Sequence, residues 1–262
     1  FVIKIFVSQK NTIVGDIEGN FKVLKKSYCN AVLQNCDIFL TPELSLTGYP
    51  PQDLLYRKDF LKKVTMFKKK IMNITKKNNT IFALSIPLLE NNKITNALLL
   101  VKSGKIIYSI QKRILPNYGV FDEKRYFSST KTKKEYFTHG NKKIEFLICE
   151  DMWTNDFIKK KTKKLDLIVV INASPFEIGK FELRQRYASK RAKYFKCDLV
   201  YVNLVGSQDD LIFDGGSFVM NKLGKTVIQE QFFEECETNF VVDSQIEKKQ
   251  IKKISKYENL YR

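Results

Sequence analysis

The chain has 262 residues, 44% of them hydrophobic and 13% aromatic, which supplies a sizeable core and excludes the composition of a disordered segment. No apolar run approaches the roughly 18 residues needed to cross a bilayer, and the opening FVIKIFV lacks the cationic flank and cleavage site of an export signal. The net charge of +18 comes from lysines spread along the whole sequence, as at Lys68 to Lys70 and Lys161 to Lys164. With arginine scarce and no nucleic-acid motif present, the charge reads as solvated surface and not as a nucleic-acid or membrane footprint.

The elements follow in chain order. A first strand is expected at Val2 to Val7, then a helix from Gly19 to Cys36 with Phe21, Leu24, Tyr28, Ala31 and Val32 on one buried stripe. The apolar run DIFLTPE ends at Glu43. A hairpin runs from Asn96 to Lys102, turns at Ser103-Gly104 and returns over Lys105 to Ile110, with Lys112 just beyond it. The run FLICED ends at Cys149 and Glu150, and LIVVINASP at Asn172 and Ser174. Leu183, Tyr187, Ala188, Ala192 and Phe195 mark a second helix with a core face. LVYVNLVG ends at Asn203, and a second hairpin joins Gly216–Met220 to Lys225–Ile228 through Asn221 to Gly224. Strands alternating with helices make the fold α/β, and the hairpins make its sheets mixed. Residues 1–243 read as one domain and 244–262 as a charged helical tail.

Cysteine and histidine usage narrows the chemistry. The five cysteines, Cys29, Cys36, Cys149, Cys197 and Cys236, are odd in number, scattered and without a CxxC pair, which points to a reducing cytoplasm. The single histidine, His139, falls in the polar stretch FTHG and reads as a solvated loop residue. A Ser-His-Asp triad, a Cys-His pair or a multi-histidine metal site would all have to rest on it.

In α/β folds the ligand site forms beyond the carboxyl ends of the strands, so the residues that finish the buried runs should meet in one cleft. Cys149 stands there as a candidate nucleophile. A free thiol titrates near about 8.5 and attacks as the thiolate, so it needs a base or a cation beside it. Glu43, aimed by the preceding proline of Thr41-Pro42-Glu43, can be that base; whether burial or a neighbouring cation governs its protonation stays open at this level. Lys112 can supply positive charge to a developing oxyanion, with the backbone N–H after Cys149 as a second donor. Each residue taken singly also has a plainer reading, as a small buried thiol or a surface charge.

The combination carries more weight than the parts. The segments FLTPELSLTGYPPQDLL, QKRILPNYGVFDEKRYF, FLICEDMW, INASPFEIGKFELR and LVYVNLVGSQDDLIFDGGSFV, with the opening Val14-Gly15-Asp16-Ile17-Glu18-Gly19-Asn20, resemble the carbon-nitrogen hydrolase (nitrilase) superfamily over essentially the whole chain. Within it they are similar to the glutaminase domains of glutamine-dependent NAD+ synthetases. The resemblance implies a four-layer α-β-β-α sandwich and a triad of Glu43 as proton acceptor, Lys112 as second catalytic residue and Cys149 as nucleophile. It implies glutamine-binding roles for Tyr118, Ser174 and Lys180, with Lys180 suited to an α-carboxylate. Glu123 beside Lys112, and Glu150, are supporting candidates; Glu123 reads equally as a structural salt-bridge residue.

The resemblance also implies partners. L-glutamine would be the substrate, and the ammonia released would pass to an ATP-dependent synthetase domain that amidates deamido-NAD+. ATP and magnesium belong to that domain, and no metal or other cofactor is implied for this one. A homo-oligomer is implied as well. The Ser-Gly-Gly-x-Asp-Ser phosphate loop of the second domain does not occur in the sequence, which begins at Phe1 and stops at Arg262, so a piece of a two-domain enzyme is expected. Two departures stand out: Ser85 where relatives usually have glycine, and Ser207 in place of the second glycine of a GGQDE-like segment, both expected to affect only local backbone geometry. The competing readings are a stand-alone amidase for another small carboxamide and a catalytically silent assembly module.

Overall fold

The computed structural model describes residues 2–129, 136–154 and 164–242; the charged tail assigned to 244–262 and Lys161 to Lys163 lie outside the described residues. Strand β1 (Ile3–Gln9) leads to helix α1 (Ile17–Leu33), then β2 (Ile38–Leu40), helix α2 (Lys58–Ile74), and β3 (Ile81–Glu90), β4 (Lys93–Lys102) and β5 (Lys105–Gln111). A single helical turn, α3 (Glu123–Tyr126), precedes β6 (Phe137–His139), β7 (Lys142–Ile148) and β8 (Leu167–Asn172). Helix α4 (Lys180–Phe195) is followed by β9 (Asp198–Asn203), β10 (Val205–Gln208), β11 (Leu211–Asp214), β12 (Phe218–Met220), β13 (Thr226–Gln229) and β14 (Cys236–Val242).

Among the described residues the strands form two six-stranded sheets, ordered β14-β1-β2-β3-β4-β5 and β13-β12-β9-β8-β7-β6, plus a β10-β11 ribbon. Each sheet has a parallel centre, β1-β2-β3 in one and β7-β8-β9 in the other, flanked by antiparallel pairs. Both expected hairpins are present, as β4-β5 and β12-β13. Parallel strands covered on both faces should be apolar without alternation. In β8 every residue of LIVVIN is buried: Leu167, Val169 and Ile171 face the opposite sheet, while Ile168 and Val170 meet α4.

Three apolar layers follow from this. One lies between α1, α2 and the first sheet, a second between the two sheets, and a third between the second sheet and α4. The result is the four-layer α-β-β-α sandwich. The stripe expected on α1 faces the first layer through Leu24, Tyr28 and Ala31, but the helix begins earlier than expected because Asp16 caps it, its Oδ1 accepting from Gly19 N at 2.9 Å. It also ends earlier, at Leu33, where Asn35 turns into the left-handed region at φ 53°.

One expectation needs correction. His139 is not a solvated loop residue: it ends β6, its side chain is mostly buried, and Nε2 lies 3.7 Å from Oδ1 of Asp37. The tight turn at Gly140 folds β6 back on β7 and brings the imidazole against Asp37, just ahead of the central strand β2 of the first sheet. The stripe expected on α4 packs on the second sheet through Tyr187, Ala188, Ala192 and Phe195, and the same helix also buries Arg184 and Arg191. No helix among the described residues is long and apolar enough to cross a membrane.

Candidate active site

The two parallel centres end on the same side of the molecule, and their terminal residues are hydrogen-bonded across the gap between the sheets. The ladder between β2 and β3 stops at Leu40 opposite Ala83, after which side chains take over from backbone. Thr41 Oγ1 donates to Ala83 O at 3.1 Å, and Leu44 N donates to Ser85 Oγ at 2.8 Å. Leu44 adopts φ 49°, a left-handed conformation that costs a non-glycine residue about 1–2 kcal/mol. Between these anchors Glu43 N donates to Asn172 O at 3.3 Å, so the end of β2 is tied directly to the end of β8 in the other sheet.

Glu43 has no solvent exposure and makes three acceptor contacts. Its Oε1 receives Lys112 Nζ at 2.8 Å and Asn96 Nδ2 at 2.6 Å, and its Oε2 receives Ala173 N at 3.0 Å. Lys112 is 1% exposed, and its ammonium also donates to Glu123 Oε1 at 2.6 Å. Tyr49 donates its hydroxyl to the same oxygen at 2.8 Å, while Glu123 Oε2 has no partner among protein atoms. Burial penalises the ammonium, yet the carboxylates of Glu123 and Glu43 outweigh that and hold Lys112 protonated, well above the ordinary lysine range. Burial likewise pushes Glu123 up to about 7 against the pull of Lys112. Buried charges of this kind persist only where each finds a partner. Glu123 is thus an ion-pair partner of Lys112, which also pairs with Glu43.

Cys149 opens the short 3-10 turn Cys149–Met152 at the end of β7 and is itself left-handed, at φ 44°. Strain of this kind is tolerated where the surroundings over-determine it. Here the following turn is fixed by Asp151, whose Oδ1 accepts from the backbone N–H groups of Arg113 and Ile114, both at 3.0 Å. One carboxylate thereby joins the segment after Lys112 to the segment after Cys149. The thiol is 6% exposed; burial pushes its pKa well above the ordinary range, Glu43 adds to the rise, and Lys112 opposes it. The resting sulfur is therefore a thiol, not a pre-formed thiolate, and it needs a base to receive its proton.

The remaining predicted residues have partners of their own. Ser174, which follows β8, is buried, and its backbone N donates to Asn203 Oδ1 at 2.9 Å. Beneath it Arg184 donates from Nε to Ser174 Oγ at 3.1 Å, from Nη2 to the carbonyls of Ser174 and Pro175, and from Nη1 to both oxygens of Asp214 at 2.7 and 2.9 Å. Lys180 opens α4, pairs with Glu177 at 3.2 Å, and holds its ammonium 5.7 Å from the centre of the Trp153 ring, just past the Cys149 turn. Tyr118 is 55% exposed and donates its hydroxyl to Glu150 Oε2 at 3.0 Å. Tyr49, Asn96, Arg184 and Asp214 carry contacts that sequence reasoning did not assign. Asn96 could have been flagged as the buried polar residue directly ahead of the apolar run Ala97 to Val101 of β4.

The arrangement has known counterparts. The family model described as carbon-nitrogen hydrolase matches residues 5–253. The glutamine-dependent NAD(+) synthetase of Aquifex aeolicus is 37% identical over 236 residues, which cover 89% of this chain and 41% of that protein. That of Acinetobacter baylyi is 35% identical over 255 residues, covering 96% of this chain and 46% of its own length. The structure of glutamine-dependent NAD+ synthetase from Acinetobacter baumannii in complex with ADP superposes with a TM-score of 0.93 at 31% identity, over 100% of this chain and 50% of that one. An amidase from Nesterenkonia sp. superposes with a TM-score of 0.81 at 22% identity, over 94% of this chain and 91% of that one, a likeness of fold alone. The chain thus spans half or less of the synthetases it matches. A family match over residues 5–253, on a four-layer sandwich in which β2, β5 and β7 lead into Glu43, Lys112 and Cys149, makes this chain a member of the carbon-nitrogen hydrolase family.

Proposed function

We propose that the chain hydrolyses the side-chain amide of L-glutamine through a thioester on Cys149, as the ammonia-producing part of a glutamine-dependent NAD+ synthetase. The observation that carries the reading is the buried cluster in which Lys112 bridges Glu43 and Glu123 at 2.8 and 2.6 Å next to a thiol whose titration all three influence.

The cycle balances within these groups. Glu43 Oε2 takes one hydrogen bond, from Ala173 N, and keeps lone-pair room for the Cys149 proton. As that proton transfers, the sulfur bonds to the carboxamide carbon, and the oxyanion is stabilised by Lys112 and the backbone N–H of Glu150. The C–N bond then breaks, with Glu43 returning the proton to the departing ammonia. Water attacks the thioester, its proton passing to Glu43 and then to the sulfur as glutamate leaves. Tyr118, Ser174 and Lys180 are assigned to the amino-acid end of the substrate, with Lys180 toward the α-carboxylate and Glu150 toward the ammonium.

ATP and magnesium are assigned to the synthetase domain that receives the ammonia, with no cofactor for the hydrolytic step. Assembly as a homo-oligomer and a cytoplasmic setting complete the proposal. Ammonia release measured across glutamine, asparagine, simple carboxamides and nitriles tests it. Glutamine is expected to be the preferred substrate, and preference for an amide lacking the amino-acid end would overturn the assignment in favour of a general amidase.

A further inference from the structure

Ser85 lies within β3 and is fully buried. On β3 the odd-numbered residues Ile81 and Ala83 face the opposite sheet, and Ser85 continues that face with no solvent exposure. It sits where β3 has run past the end of β2, beyond the last paired residues Leu40 and Ala83. The chain from Thr41 to Ser45 covers that stretch of β3 with hydroxyl contacts in place of a backbone ladder. Thr41 Oγ1 donates to Ala83 O, Ser45 Oγ donates to Thr41 Oγ1 at 2.8 Å, and Ser85 Oγ accepts from Leu44 N at 2.8 Å.

The last of these contacts governs the residue next to Glu43. Leu44 is fully buried and left-handed, a conformation that an L side chain does not hold without external constraint, and the hydrogen bond from its N–H to Ser85 is the constraint on that side. Its peptide plane is also the one that carries the Glu43 carbonyl. A rotation there would swing the Glu43 carboxylate relative to Lys112, Asn96 and the Cys149 sulfur. We propose that Ser85 is a positioning residue for the base Glu43, acting through the Leu44 N–H to set the carboxylate between Lys112 and the Cys149 thiol. The role assigned to Glu43 rests on the hydrolytic reading above.

The test uses Ser85→Ala and Ser85→Thr in the full chain. Two readouts are needed: kcat and KM for glutamine, and the pH profile of Cys149 alkylation by iodoacetamide followed by peptide mass spectrometry. For Ser85→Ala, kcat is expected to fall between about 10- and 100-fold, the scale of a small misplacement of a reacting group, with KM changed less than about 2-fold. Glu43 raises the thiol's pKa, so the displaced carboxylate moves the alkylation profile to lower pH. Ser85→Thr, which keeps the hydroxyl, restores both readouts toward the wild-type values. Ser85→Gly removes the same acceptor and repeats the test should the alanine variant not fold. A kcat and an alkylation profile that both match wild type in a hydroxyl-less variant, whatever its melting temperature, overturn the proposal. Failure of the wild-type chain to use glutamine would reject the substrate, while the alkylation profile would still decide the role of Ser85.

Discussion

Nζ of Lys112 lies 2.8 Å from Oε1 of Glu43, and neither side chain has any exposure to solvent. The same nitrogen is 2.6 Å from Glu123, so one ammonium serves two buried carboxylates. Its removal leaves both carboxylates without their cation. Lys112→Met should lower kcat/KM by at least about 10²- to 10³-fold, the usual scale for loss of an oxyanion donor. It should also destabilise the fold by about 3–5 kcal/mol, the cost of orphaning a buried charge. Lys112→Arg should not rescue activity, because a planar guanidinium cannot aim one point charge at both carboxylates. Ammonia release and urea denaturation check the two effects separately.

Glu123 makes stability depend on pH in a defined direction. Burial raises its folded-state pKa to about 7, above the ordinary 4.5, so between those values the folded chain holds a proton that the unfolded chain has released. Stability from this group is therefore greatest below about 4.5 and falls as pH rises toward 7. Asp151, raised to about 6 by burial against the pull of Arg113, adds a slope of the same sign. Glu123→Gln cannot lose that proton, so relative to wild type it should gain stability between pH 5 and pH 8. Denaturation midpoints of both proteins at those two pH values test this, and parallel pH dependences would contradict it.

Much of this site was legible before the structure, for a physical reason. Strands buried on both faces read as unbroken β-branched runs, so the polar residue that ends each run is conspicuous, and Glu43, Cys149 and Ser174 were all found that way. The Ser103-Gly104 and Asn221-to-Gly224 turns announced their hairpins. Arg184 was missed because helical periodicity assigns a charged residue to solvent, and only the fold reveals that its partner is Asp214, thirty residues away. Helix α2 went unassigned although Phe60, Leu61, Val64, Phe67 and Ile71 carry the spacing, because lysines interrupt the stripe. His139 was misplaced because its contact with Asp37, just ahead of β2, is remote in sequence. The four-layer packing itself came from family resemblance and not from periodicity.

The Arg184–Asp214 pair should couple stability to substrate binding. Asp214→Asn leaves a guanidinium that has no solvent exposure without its anion, and should cost about 3–5 kcal/mol. The pair also supports the Ser174 backbone, so KM for glutamine should rise more than kcat falls. Replacing both members with apolar residues should cost less than the sum of the single changes, as measured in a double-mutant cycle. Additive effects would mean that the two side chains act independently.

Rapid chemical quench of the wild-type chain with glutamine, followed by peptide mass spectrometry, reads the covalent step itself. A γ-glutamyl thioester on Cys149 is the expected result, appearing before steady-state ammonia release and absent from Cys149→Ala, which should release no ammonia above background. Ammonia release that persists in Cys149→Ala, or an acyl group carried by any other residue, would contradict the account.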